Sequence, residues 1–186
     1  VLVAAIAAGV LIDTSGFLQS KAEESSRQSV GSVTDRVGVF SETGETLDTG
    51  TVGNVRLLVG KAPGSGTINL SGGTIEVIGP AGVARTPLNG SDKGLSYTKL
   101  SDDDGSIDVS NDLVRLNDEG DRVVLRVSFT DGPTVFEDAV SADGEGGIGL
   151  EPGQTATVRL TTVDGATTVV RLRVPRTTVG EPTVGL

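Results

Sequence analysis

Cysteine and histidine are both absent from the 186-residue chain. Without cysteine there is no disulfide and no thiolate metal site, and the redox compartment cannot be read from cysteine usage. Without histidine the commonest general base, the commonest zinc ligand and every Ser-His-Asp arrangement are excluded. Aromatics are scarce at 3%. Lysine is confined to Lys21, Lys61, Lys93 and Lys99, and 25 acidic against 15 basic residues leave a net charge of -10. Such a surface repels phosphate backbones, so no nucleic-acid partner is expected. A carboxylate pair in a pocket would be the remaining route to hydrolysis, as in glycosidases. Nothing singles out one pair, and no enzymatic activity is expected.

What is present divides the chain in two. From Val30 onward, Gly-rich turns such as "DG", "GG", "EPG" and "DEGD" separate short runs rich in Val and Thr, among them "VGNVRLLVG", "TIEVIG", "RVVLRVSF", "TATVRLTT" and "TTVVRLRVP". In "RVVLRVSF" the residues Val123, Leu125, Val127 and Phe129 share one face. In "TTVVRLRVP", Val170, Leu172 and Val174 oppose Val169, Arg171 and Arg173. Seven or more such strands predict an antiparallel β-sandwich, immunoglobulin-like in architecture although the Cys and Trp marks of true immunoglobulin domains are missing.

The first residues follow other rules. Val1, Leu2, Val3, Ala4, Ala5, Ile6, Ala7, Ala8, Gly9, Val10, Leu11 and Ile12 form a run without a polar side chain, and Phe17 and Leu18 extend it. A helix through this run is apolar all round and must be buried on all sides. At about 1.5 Å per residue the run covers about 18 Å, short of the roughly 20 residues that cross a bilayer. "QSKAEESSRQS" then turns polar with good helix formers, which predicts one helix to about Arg27 and a short connection at Gln28 to Gly31. A signal peptide fits poorly, because no basic region precedes the run and no clear cleavage site follows. The small residues among Val, Leu and Ile suit close helix–helix approach, and with one such helix per chain the partners are copies of itself.

"AAIAAGVLI" followed by "GFLQSKAE" resembles the N-terminal region of archaellins, the filament subunits of the archaeal flagellum, over about residues 1 to 29. The resemblance implies a type IV pilin-like helix made with a leader that a peptidase removes, and held in the membrane only before assembly. Family members usually carry about ten more apolar residues upstream, so the sequence is expected to begin inside the helix. The abundance of acids with little lysine fits a halophilic archaeal surface, where salt screens self-repulsion; an ordinary acidic extracellular protein is the other reading. The implied organisation is a filament-core helix over residues 1–29 and a β-sandwich outer domain over 30–186, an α+β fold.

On this reading the chain is an extracellular structural subunit that polymerises into a helical homopolymer for swimming, alone or with paralogous archaellins. Burying about 500 Å² of helix at about 25 cal/mol per Å² gives a gross ~12 kcal/mol per subunit before association costs. An adhesion pilin of the same superfamily is the runner-up, and a surface β-domain that binds glycans or metal is a third reading. The sequons Asn69-Leu70-Ser71 and Asn89-Gly90-Ser91 are candidate glycosylation sites, as is common in archaellins. The cluster "SDDDGSIDVSND" offers Asp102, Asp104 and Asp108, with Asp103 and Asp112, as candidate Ca²⁺ or Mg²⁺ ligands, though it lacks EF-hand spacing and equally suits a solvated loop. The second acidic stretch, Glu137, Asp138, Asp143 and Glu145, is a weaker candidate.

Overall fold

Backbone hydrogen bonding and side-chain period divide this chain into a helix and sheets. The computed structural model describes residues 2–89, 93–111, 113–130, 135–140, 149–178 and 180–186, with the side chains of residues 2–8, 137 and 138 outside that description. Helix α1 spans Leu2–Thr34 and strand β1 Val37–Thr46. Then come β2 (Val52–Lys61), β3 (Ile68–Asn69), β4 (Thr74–Ile78), β5 (Val83–Pro87), β6 (Leu95–Ser101), β7 (Ile107–Asp108), β8 (Leu113–Leu116) and β9 (Arg122–Ser128). The short helix α2 (Glu137–Val140) precedes β10 (Thr155–Thr161), β11 (Thr167–Arg173) and β12 (Thr183–Gly185).

The sequence predicts a helix to about Arg27; α1 continues to Thr34. The intervening "VGSVT" has strand-like composition, but local and tertiary bonds override it. Ser29 Oγ donates to the Ser25 carbonyl at 2.8 Å and Thr34 Oγ1 to that of Val30 at 3.0 Å. Asp35 N–H still closes on the Gly31 carbonyl at 2.8 Å. Gly31 is buried, and a Cβ there would stand 3.2 Å from Asp35 Oδ2 and 3.5 Å from Asp164 Cβ, so a side chain would have to displace the Asp35 carboxylate by a few tenths of an ångström. Ser65 Oγ donates to the carbonyls of Thr34 (2.7 Å) and Arg36 (3.2 Å), and Gly66 N–H donates to Asp35 Oδ1 (2.7 Å). These bonds from the turn after β2 fix how the helix leaves the sheet.

Strand pairing is antiparallel throughout the described residues. A five-stranded sheet runs β12-β1-β2-β9-β6, a four-stranded sheet β11-β10-β4-β5, and a small sheet β3-β8-β7. Alternation decides which side chains meet. Val55, Leu57 and Val59 of β2 with Val123, Leu125 and Val127 of β9 join Ile75 and Val77 of β4, Val158 and Leu160 of β10, and Val170 and Leu172 of β11 in one buried cluster. Phe129, Phe136 and Val174 belong to it as well. Two sheets sharing one core make the β-sandwich that the alternation predicts, and with α1 the fold is α+β.

Candidate assembly surface and acidic loop site

Among the described residues, the stretch of α1 from Gly9 to Val30 is exposed throughout. Val10, Leu11, Ile12, Phe17 and Leu18 are each 60–72% exposed. Gly9 and Gly16 have nothing within 4 Å of where a Cβ would stand. Val1 and the side chains of Leu2, Val3, Ala4, Ala5, Ile6, Ala7 and Ala8, also expected to pack in a filament core, lie outside the described residues. Among the described residues no helix is long and apolar enough to cross a membrane. The polar side chains of the helix are largely satisfied within it. Thr14 Oγ1 donates to the Val10 carbonyl (2.7 Å), Ser20 Oγ to that of Gly16 (3.1 Å), and Lys21 pairs with Glu24 (2.6 Å). A helix this apolar with self-satisfied hydroxyls can be surrounded by apolar neighbours without stranding those donors.

The acidic loop lies between β6 and β7. Its turn is built by Asp102, whose side chain is fully covered and whose Oδ1 accepts from the amides of Gly105 (3.0 Å) and Ser106 (3.1 Å). Gly105 sits at φ +79°, the left-handed conformation that favours glycine. Lys99 Nζ pairs with Asp102 Oδ2 at 3.0 Å. The turn between β8 and β9 closes on this loop: Asn117 Nδ2 donates to Asp104 Oδ2 at 2.5 Å. That bond, followed by one from the Ser106 amide, holds the Asp104 carboxyl down at a pKa of about 2.

Asp121 completes the cluster. One carboxylate oxygen from each of Asp102, Asp104 and Asp121 lies within 4.8 Å of the others. Asp121 is 1% exposed; its Oδ2 accepts from the amides of Asn117 and Asp118 at 2.9 Å, while its Oδ1 and the Oδ1 of Asn117 are buried without a partner. Buried oxygens left without a donor are costly, and hard oxygen donors at this separation suit Ca²⁺ or Mg²⁺. Asp108 stands apart from the cluster: it accepts from Asn111 Nδ2 (2.6 Å) and the Ser110 amide (3.0 Å), which hold its pKa below the usual carboxylate value. Asp103 is exposed in the same loop. Asp112, Asp143, Glu145 and the side chains of Glu137 and Asp138 lie outside the described residues. Sequence reasoning did not single out Asp121 and Asn117, since "NDEGD" reads as a turn and only its docking on the β6–β7 loop, 13 residues away at Asp104, gives it a second role.

The two sequons come together at one open cleft lined by Asn69, Ser71, Gly72, Asn89, Asn111 and Leu113. Asn69 ends β3 and is exposed, with Ser71 Oγ donating to its Oδ1 at 3.0 Å. Asn89 is exposed in a turn; Gly90 and Ser91 of its sequon lie outside the described residues.

An unpartnered apolar helix rooted in an all-antiparallel sandwich defines a pilin-like subunit in the broad sense, a body that presents a helix for other helices to bury. The archaeal-type flagellin family profile matches residues 1–172, and the chain belongs to that family. Flagellin A1 of Haloferax volcanii is 34% identical over 199 residues, covering 97% of this chain and 85% of that one. Flagellin B1 of Natrialba magadii is 36% identical over 183 residues, covering 95% and 83%. Among solved structures, the archaeal flagellum of Methanospirillum hungatei strain JF1 superposes with a TM-score of 0.65 at 16% identity, covering 96% of this chain and 89% of that one. A crystal structure of an archaeal flagellin from Methanocaldococcus jannaschii gives 0.61 at 16% identity, covering 80% and 94%. These two likenesses bear out the helix-plus-sandwich fold.

Proposed function

We propose that this flagellin polymerises through α1 into the cell-surface filament of the archaellum, with residues 1–18 buried among the helices of neighbouring copies and the sandwich facing outward. The observation that carries this reading is the exposed apolar surface of Val10, Leu11, Ile12, Phe17 and Leu18 on a helix with self-satisfied hydroxyls. Family membership favours a swimming filament over an adhesion pilin. The role is structural, driven by apolar burial, with the membrane as the helix's environment only before assembly.

Two accessory features belong to the same reading. A Ca²⁺ or Mg²⁺ ion held by Asp102, Asp104 and Asp121 would tie the β6–β7 loop to the β8–β9 turn, supported by the two orphaned oxygens beside them. Glycans on Asn69 and Asn89 would project from one cleft on the outer body, supported by the exposure of both side chains.

The test is Gly9→Asp in the native organism. A side chain at Gly9 meets nothing within the protomer, so the subunit folds normally while a charge is placed in the helix bundle. Loss of filaments in electron micrographs and loss of swimming, with unchanged cellular subunit levels, is expected. Normal filaments would overturn the helix-core reading, and intact swimming with loss of surface attachment would favour the adhesion pilin.

A further inference from the structure

On a chain of net charge -10, four of the ten positive side chains on the described strands, Arg85, Arg159, Arg171 and Arg173, lie on the four-stranded sheet. The inward side chains of the four-stranded sheet fill the core, so its outward set includes Val169, Arg171 and Arg173 of β11, Arg159 of β10, Glu76 and Ile78 of β4, and Val83 and Arg85 of β5, with threonines of β4, β10 and β11 among them. Register places Arg85, Glu76, Arg159 and Val169 side by side across all four strands. Glu76 pairs with Arg159 at 2.9 Å. Arg171 and Arg173, two residues apart on the edge strand, are exposed and make no ion pair among the described residues. Arginines held at strand spacing on a sheet are pre-organised, which lowers the entropy lost when their planar forks bind carboxylates.

Carboxylates in excess lie elsewhere on the same molecule. The β6–β7 loop and the β8–β9 turn, joined by the Asn117–Asp104 bond, present Asp103, Asp118 and Glu119 to solvent. None of these makes an ion pair among the described residues. The acidic turns adjoin β6 and β9 of the five-stranded sheet, whereas the arginines cover the outer face of the other sheet.

We propose that the arginine face of β4, β5, β10 and β11 is an inter-subunit docking surface whose occupant is the acidic β6–β7 and β8–β9 turns of a second copy of this chain. Charge complementarity selects that occupant. The chain's net negative charge repels nucleic acids and other polyanions at range, while every copy carries both halves of the contact. Because the two patches are different surfaces, the contact is heterologous and repeats from copy to copy without closing. At molar salt the screening length falls to about 3 Å, so the attraction acts through direct Arg–carboxylate contact and fixes the register of the outer bodies. The inference rests on the filament reading above and adds a second contact to the helix core.

The experiment uses the full chain expressed in cells lacking the native copy, with filaments counted by electron microscopy and sheared filament protein quantified. Arg171→Glu with Arg173→Glu should cut filament yield by about ten-fold or more, as expected for placing like charges in a contact. Adding Asp103→Arg and Glu119→Arg to the same chain should restore yield to within about two-fold of the parent, the coupling that marks a direct pairing. Normal filaments from the arginine variant, or no rescue by the acidic swap, would overturn the docking surface while leaving the helix core intact. If the arginine variant assembles normally but loses retention on an anionic polysaccharide resin, the face belongs to a polyanion, which also overturns it. Failure of the filament reading itself is read separately, from normal filaments in Gly9→Asp.

Discussion

Asp35 and Gly66 are joined by a 2.7 Å hydrogen bond, amide to carboxylate, across the junction where the helix gives way to the sandwich. Asp35 follows the last residue of α1, and Gly66 lies in the turn after β2. The same turn sends Ser65 Oγ to the carbonyls of Thr34 and Arg36. The direction of the helix relative to the body is thus set by three side-chain bonds that tie Thr34, Asp35 and Arg36 to Ser65 and Gly66.

Removing one of them should loosen the junction more than the fold. The Asp35 bond is exposed, so Asp35→Ala is expected to cost about 1 kcal/mol. The urea midpoint of the detergent-solubilised subunit should fall with an unchanged slope. An unchanged midpoint would mean that Ser65 alone holds the junction.

The α2 end of the sandwich offers a harsher substitution. A Cβ on Gly79 would run into the Ala139 carbonyl, which also accepts from the amides of Ala81 and Gly82 at 3.1 and 3.2 Å. Gly79→Ala must therefore push α2 off the β4–β5 hairpin or break those bonds, at a cost of about 2 kcal/mol or more. Thermal melting of the purified subunit checks this; a change of only a degree or two would show that α2 gives way freely.

Divalent-cation removal tests the cluster of Asp102, Asp104 and Asp121. A ligand bound only by the folded state adds stability, so a chelator should lower the melting temperature of the parent by several degrees at micromolar protein. In Asp121→Asn the shift should vanish, because the buried unpartnered oxygen becomes part of a neutral amide. Equal chelator sensitivity in both proteins would exclude these residues as the ion's ligands.

How much of this was legible in the sequence depends on whether the determining contacts are local. Strict alternation exposed the core face of Val123, Leu125 and Val127, and all three are fully buried. The helix end was not legible, because Val30, Val33 and Thr34 are β-branched and the bonds that carry the helix through them include Ser65, distant in sequence. The acidic loop was found by composition, yet its geometry depends on Asp121 and Asn117 from another turn. Asp108, closer in sequence, is instead tied to Asn111 and Ser110. The arginine face required the register of four strands, which spacing alone does not supply.

Intact mass spectrometry of sheared filaments addresses the paired sequons. Asn69→Gln and Asn89→Gln should each remove one discrete glycan mass, and the double variant should run at the mass of the bare polypeptide. Asn111→Gln, which alters the same cleft but no sequon, should leave the mass pattern unchanged. A bare polypeptide mass in the parent would show both sites to be unmodified.

Two neighbours on α1, Ile12 and Thr14, should respond oppositely to substitution. Ile12 is 72% exposed on the protomer, and on the proposed helix-core reading Ile12→Asp places a charge among apolar neighbours, a penalty of several kcal/mol that should abolish filaments. Thr14 is polar, yet its hydroxyl donates to the Val10 carbonyl one turn earlier in the same helix, so burying it strands no donor. Thr14→Val keeps the shape, removes only that internal bond and should assemble at close to parental yield. Filament yield per cell, measured on sheared material alongside subunit level, reads both. Loss of filaments in Thr14→Val would mean that the hydroxyl reaches a neighbouring helix in the assembled state, and the bundle would then be held by polar contacts as well as by apolar burial.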